Sequence, residues 1–303
     1  MNTATGQPGR GVWIAYALLL LTVLFWSGNV VTGRALRDAV DPIALNLYRW
    51  TIAGLLLLAL SGRALWRHRR VALNHWPVPL GLGLTGVVGY QTCVYVALHH
   101  TQAVNALLVL QLAPVAIVAG ARWLYGERVG PMRAVGMAVA ALGALVLIAR
   151  GDPGVIARLE LNAGDATMLL AVGFWAGYSL LLKQRPTDLP PMALLLASVL
   201  VGLAVLVPAY LLSGGPATRP ALPPAAWVGV GYIGVFASFF AFLFWNHGVA
   251  RVGPARASVF LYLMPVFGAV LGYLLLNERL APYHLLGALL VLGGVALMNR
   301  QKS

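Results

Sequence analysis

Apolar runs of about 20 residues follow one another along the whole chain, separated by short polar or proline-marked connections. At 1.5 Å per helical residue, such a run matches the ~30 Å hydrocarbon layer of a bilayer. Ten spans are predicted, at roughly 12–33, 42–61, 77–98, 103–125, 131–149, 164–184, 191–212, 225–247, 254–276 and 281–298. The runs are continuously apolar, whereas the strands of a membrane barrel would alternate apolar and polar positions, so an all-α polytopic membrane protein is expected. Asp41-Pro42, Pro77, Pro131, Pro190-Pro191, Pro223-Pro224, Pro254 and Pro282 mark span starts. Proline is tolerated there because its missing N–H would be unpaired in any case. The stretch after Arg10 is too long for a signal peptide and carries no small-x-small cleavage site, so it is read as a retained first span.

The pattern repeats. Pro114, Glu127-Arg128, Pro131, Gly136 and Gly143 recur as Pro265, Glu278-Arg279, Pro282, Gly287 and Gly294, each 151 positions later. Upstream, Phe25-Trp26 is echoed by Phe174-Trp175, and Arg34 by Lys183. A tandem duplication is implied, with residues 1–150 forming one five-helix unit and 151–303 the second. Five is odd, so the second unit crosses the membrane in the opposite sense to the first, as in the inverted repeats of many secondary transporters.

Composition agrees with the hydropathy pattern: 60% of residues are hydrophobic and only 10% charged, against about 25% charged in a soluble domain. The formal net charge of +13 does not signal nucleic-acid binding, because Lys and Arg sit between the apolar runs. There they serve orientation and contact with anionic headgroups. Arg63, Arg67, Arg69, Arg70, Arg122, Arg128, Arg133, Lys183, Arg185, Arg251 and Arg256 gather on one set of alternating connections. The bias places both termini in the cytoplasm. The single cysteine, Cys93, cannot form an internal disulfide.

Several motifs then combine in order: Phe25-Trp26-Ser27-Gly28-Asn29, Tyr48-Arg49-Trp50, Leu112-x-Pro114 with Gly126-Glu127-Arg128, Gly164-Asp165 leading to Phe174-Trp175-Ala176-Gly177-Tyr178, and Leu263-x-Pro265 with Asn277-Glu278-Arg279. Over nearly its whole length the chain resembles the drug/metabolite transporter superfamily, EamA type, and within it the YddG-type aromatic amino-acid exporters. The resemblance implies a bacterial inner-membrane exporter of small metabolites. Its central cavity would be lined by the first four spans of each half, with the fifth and tenth spans behind. Arg49 departs from the repeat, since Ser198 stands opposite it, so the two halves of the cavity are chemically unequal.

The candidate site residues follow. Trp26 and Asn29, three apart, share a helix face, and so do their counterparts Trp175 and Tyr178. Two such faces would form an apolar cleft with a few polar groups, the usual make-up of a small-molecule site; the alternative is an interfacial aromatic belt. Arg49 either binds a substrate carboxylate through parallel hydrogen bonds, or snorkels to the outer face or ties to backbone carbonyls. Pro114 and Pro265 fall in mid-span and would free the carbonyls of Leu110 and Leu261, as hinges or as static kinks. Gln111 and Tyr262 precede the prolines by three residues. Tyr90, Tyr95, Gln91, Asn105, Trp245 and Asn246 are further in-span candidates, with only one of Tyr90 and Tyr95 expected to reach the lumen because a spacing of five is poor for one face. The acids all fall in connections or at span ends, so no buried proton carrier is expected and Asp165 reads as a helix cap. The small-residue stripe Gly136–Ala140–Gly143, with Gly287, Gly293 and Gly294, would pack spans five and ten against their own bundles, or else form a dimer face.

The expectation is a monomeric alternating-access exporter of neutral and aromatic amino acids, embedded in lipid and needing no metal or cofactor. Nucleosides, other metabolites or drugs are the alternative cargo, cations least of all because no in-span acid would receive them. No nucleophile–base pair or phosphate loop supports an enzyme.

Overall fold

The computed structural model describes residues 10–36, 39–98, 100–101, 103–127, 130–158, 162–215, 222–276 and 281–299. Arg37, Asp38, His99, Arg128, Glu160, Asn277, Glu278 and Arg279 lie outside them, as does the side chain of Arg34. Among the described residues no strand occurs, nine helical stretches are long and apolar enough to cross a membrane, and the tenth apolar run, Pro282–Met298, is a shorter helix. The spans are α1 Arg10–Leu36, α2 Pro42–Arg67, α3 at 77–98, α4 at 103–125, α5 Pro131–Ile148, α6 at 163–184, α7 Pro191–Leu212, α8 at 224–252, α9 at 254–276 and α10 Pro282–Asn299. α1, α2 and α8 run several residues past their hydropathic ends. Polar and charged residues such as Arg63, Arg67 and Arg251 do not end a helix once it has left the hydrocarbon, because their side chains reach water.

Five spans are not plain α-helices; α6 ends in a 3₁₀ turn, Leu182–Gln184. α3 and α8 each contain a π-helical stretch, Gly83–Gly89 and Ile233–Phe240, at repeat-equivalent positions. Such wide turns are rare and concentrate at functional sites. α4 is broken between Ala103–Leu110 and Ala113–Tyr125, with Pro114 just after the break. In α9 the chain tightens to a 3₁₀ turn, Val259–Leu263, before Met264–Leu276, and Pro265 sits at the same point.

The repeats interlock rather than standing side by side. α1 packs on α8 and α9 of the second repeat, while α6 packs on α3 and α4 of the first. α2 packs on α7 and α8, and α7 also on α3. The expectation that α5 and α10 pack against their own bundles is corrected: they pack on each other. A methyl added at Gly143 would lie 2.7 Å from the Gly287 carbonyl oxygen, and one at Gly136 would lie 2.7 Å from that of Gly294. Only glycine permits this backbone-to-backbone approach, which is what the small-residue stripe supplies. The tryptophans divide by depth. Trp13, Trp66, Trp76 and Trp123 are exposed near the end that carries the basic connections, whereas Trp26, Trp50, Trp175 and Trp245 are buried.

Candidate functional site

Aromatic rings from five spans, α1, α2, α3, α6 and α8, meet in one cluster. Trp175 and Tyr178 stack at 5.4 Å between centroids, as the three-residue helical spacing allows. Trp26 meets Trp175 edge-on at 5.0 Å. Trp245 lies 5.5 Å from Trp26 and 5.3 Å from Trp175. Tyr90 joins at 5.0 Å from Trp175. Phe242 fills the middle, 5.8 Å from both Trp26 and Trp175 and 4.7 Å from Trp50. Each such pair contributes about 0.5–1.5 kcal/mol beyond its buried area. Two polar edges are anchored: Trp26 Nε1 donates to the Ala237 carbonyl at 3.0 Å, and the Tyr178 hydroxyl donates to Asn246 Oδ1 at 2.7 Å.

Arg49 borders this cluster and is 2% exposed. The snorkelling alternative is therefore excluded, and a contact with a backbone carbonyl is present. Arg49 Nε donates to Ser238 Oγ at 2.7 Å, and Nη2 donates to the Ala237 carbonyl at 3.4 Å. Ser238 Oγ in turn donates to the carbonyl of Ile233, five residues back, inside the π-helical stretch of α8. The guanidinium carbon lies 5.7 Å from the Trp50 ring centroid. Nη1 is buried and unpartnered. No ion pair to Arg49 occurs among the described residues.

Other buried polar atoms share that condition. Asn29 Oδ1, Trp50 Nε1, Trp245 Nε1, Ser179 Oγ and the Tyr262 hydroxyl have no hydrogen-bond partner. An unsatisfied buried group typically costs about 1–3 kcal/mol. Two of them, Trp50 Nε1 and Trp245 Nε1, belong to rings of the aromatic cluster itself. Donors predominate, with Asn29 Oδ1 and Asn46 Oδ1, also unpartnered, the groups that can only accept.

The remaining expected residues are placed as follows. Tyr95 lies apart from the aromatic cluster, in a cleft of about 140 Å³ lined also by Asp41, Asn46 and Thr92. Gln111 is half-buried in the break of α4. Tyr262 is fully buried in the 3₁₀ turn. The expectation of a freed carbonyl at Leu261 is corrected, because the tighter winding lets Met264 N–H bond to it. The Met264 carbonyl then accepts from Ser27 Oγ on α1 at 3.1 Å. Phe242, Ser238, Trp50 and the Ala237 carbonyl are site groups that sequence reasoning missed. A phenylalanine, a serine and a main-chain oxygen in an apolar run carry no pattern that singles them out.

Polar ties fasten α6 to its neighbours at both ends. Asp165 forms a capping box with Asn162, as its position in the first turn suggested. It also accepts from Thr101 Oγ1 and Asn105 Nδ2. At the other end Lys183 Nζ pairs with Glu127 at 2.6 Å and lies 4.3 Å from the Tyr125 ring centroid. The Tyr125 hydroxyl donates to the Leu180 carbonyl at 2.8 Å. At this basic end the second half of α4 packs on the first half of α9. Their other halves diverge, Ala103–Leu110 onto α3 and α6, Met264–Leu276 onto α1.

This arrangement can be set beside known proteins. A "Probable terminal-alkyne amino-acid exporter" of Streptantibioticus cattleyicolor is 30% identical over 292 residues, covering 96% of this chain and 94% of that one. An "Uncharacterized transporter" of Archaeoglobus fulgidus is 25% identical, covering 95% of this chain and 98% of that one. The "Uncharacterized transporter YyaM" of Bacillus subtilis is 25% identical over 71% of this chain and 70% of its own length. One solved crystal structure superposes with a TM-score of 0.75 at 23% identity, over 97% of this chain and 98% of that one, which is a likeness of fold. The model of the EamA-like transporter family matches twice, at residues 13–149 and 162–300. Two family repeats, covering nearly all ten spans, make this chain a multi-pass membrane protein of the EamA-like transporter family.

Proposed function

We propose that the protein exports small amphipathic metabolites, neutral and aromatic amino acids foremost, from a bacterial cytoplasm across the inner membrane. The observation that carries this reading is Arg49: a guanidinium with a free Nη1, beside a cluster of seven aromatic rings and several unpartnered hydrogen-bonding groups. A buried cation lacking a protein carboxylate fits the carboxylate of a solute, which would accept from Nη1. Trp26, Trp175, Tyr178, Trp245 and Tyr90 would take the apolar side chain. Asn29 would accept from the ammonium, while Gln111, Tyr95 and Tyr262 would line the route. The 30% identical relative named as an amino-acid exporter supports the same cargo class.

For mechanism, α1, α2, α8 and α9 would rock as one group against α3, α4, α6 and α7, with the α2–α7 contact as the seam between the groups. Pro114 and Pro265 would be the flexing points. With the basic end cytoplasmic by the positive-inside rule, contact between α4 and α9 at that end corresponds to a form closed toward the cytoplasm. The carboxylate nearest the core, Asp165, is held by three neighbours at a helix start. It is a structural anchor, and the cycle is read as uncoupled from protons.

The test is efflux of phenylalanine from proteoliposomes, with competition by methionine, threonine and a nucleoside, and with the pH gradient intact or collapsed. Saturable efflux, inhibited by amino acids and indifferent to the pH gradient, is the expected result. Competition by the nucleoside alone would overturn the cargo, and strict dependence on the gradient would overturn the uncoupled cycle.

A further inference from the structure

The connection from α2 to α3 is a run of arginines on a helical frame. α2 continues to Arg67, the chain turns at His68, and a short helix, Arg69–Asn74, follows before α3 starts at Pro77. The His68 and His75 rings hold this frame through contacts to the Ala64 and Val71 carbonyls at 2.9 and 3.0 Å. Arg63, Arg67, Arg69 and Arg70 are all exposed. The sequence contains no Asp or Glu between Asp41 and Glu127, so no acidic neighbour along the chain offsets them.

Arg63, Arg67 and Arg70 make no hydrogen bond or ion pair among the described residues; Arg63 and Arg67 stand four apart on α2, and Arg70 lies across the turn at His68. Like charges four apart on a helix repel, and Arg70 adds a third nearby in the sequence, so an anion shared between them would stabilise the connection. Arg69 is already oriented: its Nη1 donates to the Trp66 carbonyl at 2.9 Å, and its guanidinium lies 4.6 Å from the Trp66 ring centroid. Large apolar side chains flank the arginines. Trp66 is 70% exposed, Leu73 67% and Trp76 58%. Tryptophans favour the headgroup level of a bilayer, and arginines there attract anionic lipid and fork onto phosphate oxygens. Cations between exposed apolar anchors match the phosphodiester and upper acyl region of a lipid better than a soluble anion, which has no use for the tryptophans.

We propose that this connection is a binding site for the phosphate headgroup of an anionic phospholipid, held by Arg63, Arg67, Arg69 and Arg70 between Trp66 and Trp76. The connection also has a mechanical position. α2 packs on α7 and α8, whereas α3 packs on α6 and α7. It therefore joins the two groups that move in the proposed cycle, and a lipid bridging the arginines would restrain that joint. This second consequence rests on the alternating-access reading; the binding does not.

The experiment uses the full chain in phosphatidylcholine nanodiscs with and without phosphatidylglycerol, reading thermal stability. Phosphatidylglycerol should raise Tm. The Arg67→Gln/Arg69→Gln/Arg70→Gln variant should lose most of that rise, while Arg122→Gln/Arg133→Gln, at the same membrane face, should keep it. Should the triple variant fail to fold, Arg70→Gln alone serves, since that side chain has no protein partner to lose. An equal rise in the triple variant would overturn the site. So would soluble glycerol phosphate reproducing the rise in pure phosphatidylcholine, which would mean a small-anion site. Amino-acid efflux measured in the same two lipid mixtures separates the claims: absence of efflux in both mixtures would count against the cargo and leave the Tm result to judge the lipid.

Discussion

Arg49 stays under cover because Ser238 and the Ala237 carbonyl take two of its three nitrogens, yet neither group depends on it. Ser238 Oγ keeps its bond to Ile233, and Ala237 keeps that from Trp26 Nε1. Removing one partner of a buried pair is usually costly because the other is stranded. Here no counter-charge is stranded. Arg49→Met should therefore leave Tm unchanged or raise it, while amino-acid efflux falls at least about tenfold, roughly 1.4 kcal/mol in free energy. A protein that unfolds on this change, with Arg49→Lys transporting normally, would make Arg49 a structural post. The chemistry of this position was half legible. An arginine in an apolar run announces itself, but its neighbours do not. They arrive from a helix almost 190 residues away along the chain.

At the scale of single helices, the apolar lengths and the proline-marked starts were plain in the sequence, because burial in lipid and the missing proline N–H are local constraints. The π-helical stretches of α3 and α8 were not. A seven- or eight-residue widening carries no propensity signal and depends on what packs beside it. The breaks before Pro114 and Pro265 were expected, yet only tertiary winding determined that Leu261 would find a new partner. Pro265→Ala supplies an amide where none existed and allows a regular helix to form. Stability should hold or rise by about 0.5–1.5 kcal/mol, and the efflux rate should drop if flexing there matters. An undiminished rate would mark the break as fixed packing. The α5–α10 contact gives the opposite case. Gly143→Leu forces a side chain against the Gly287 carbonyl and Val291. A loss of about 1–3 kcal/mol, the usual cost of overpacking, should appear as a lower Tm, and an unchanged Tm would mean that the two helices separate readily.

For the whole molecule, the odd number of spans per repeat makes a directional prediction. In a Cys93→Ser background, Gly130→Cys and Ala281→Cys are repeat-equivalent positions next to their prolines. A membrane-impermeant thiol reagent applied to intact cells should label Ala281→Cys, and Gly130→Cys only after the cells are opened. Labelling of both positions from outside would break the inverted arrangement. The interlocking of the repeats decides what can move. Since α1 sits on α8 and α9, and α6 on α3 and α4, residues 1–150 are not packed as a block of their own, although the sequence repeat runs by that division.

Periodicity, length and the 151-residue echo suffice for ten spans in two copies, because hydrophobic burial and chain symmetry are written residue by residue. Which helix faces which is another matter. Lipid-facing and protein-facing sides of such helices are almost equally apolar, so the partner of each span is chosen by close packing of glycines and rings, a property of shapes in contact. That choice alone brought Trp26, Trp175, Trp245 and Phe242 to one place beside Arg49, and left Tyr95 in a cleft of its own.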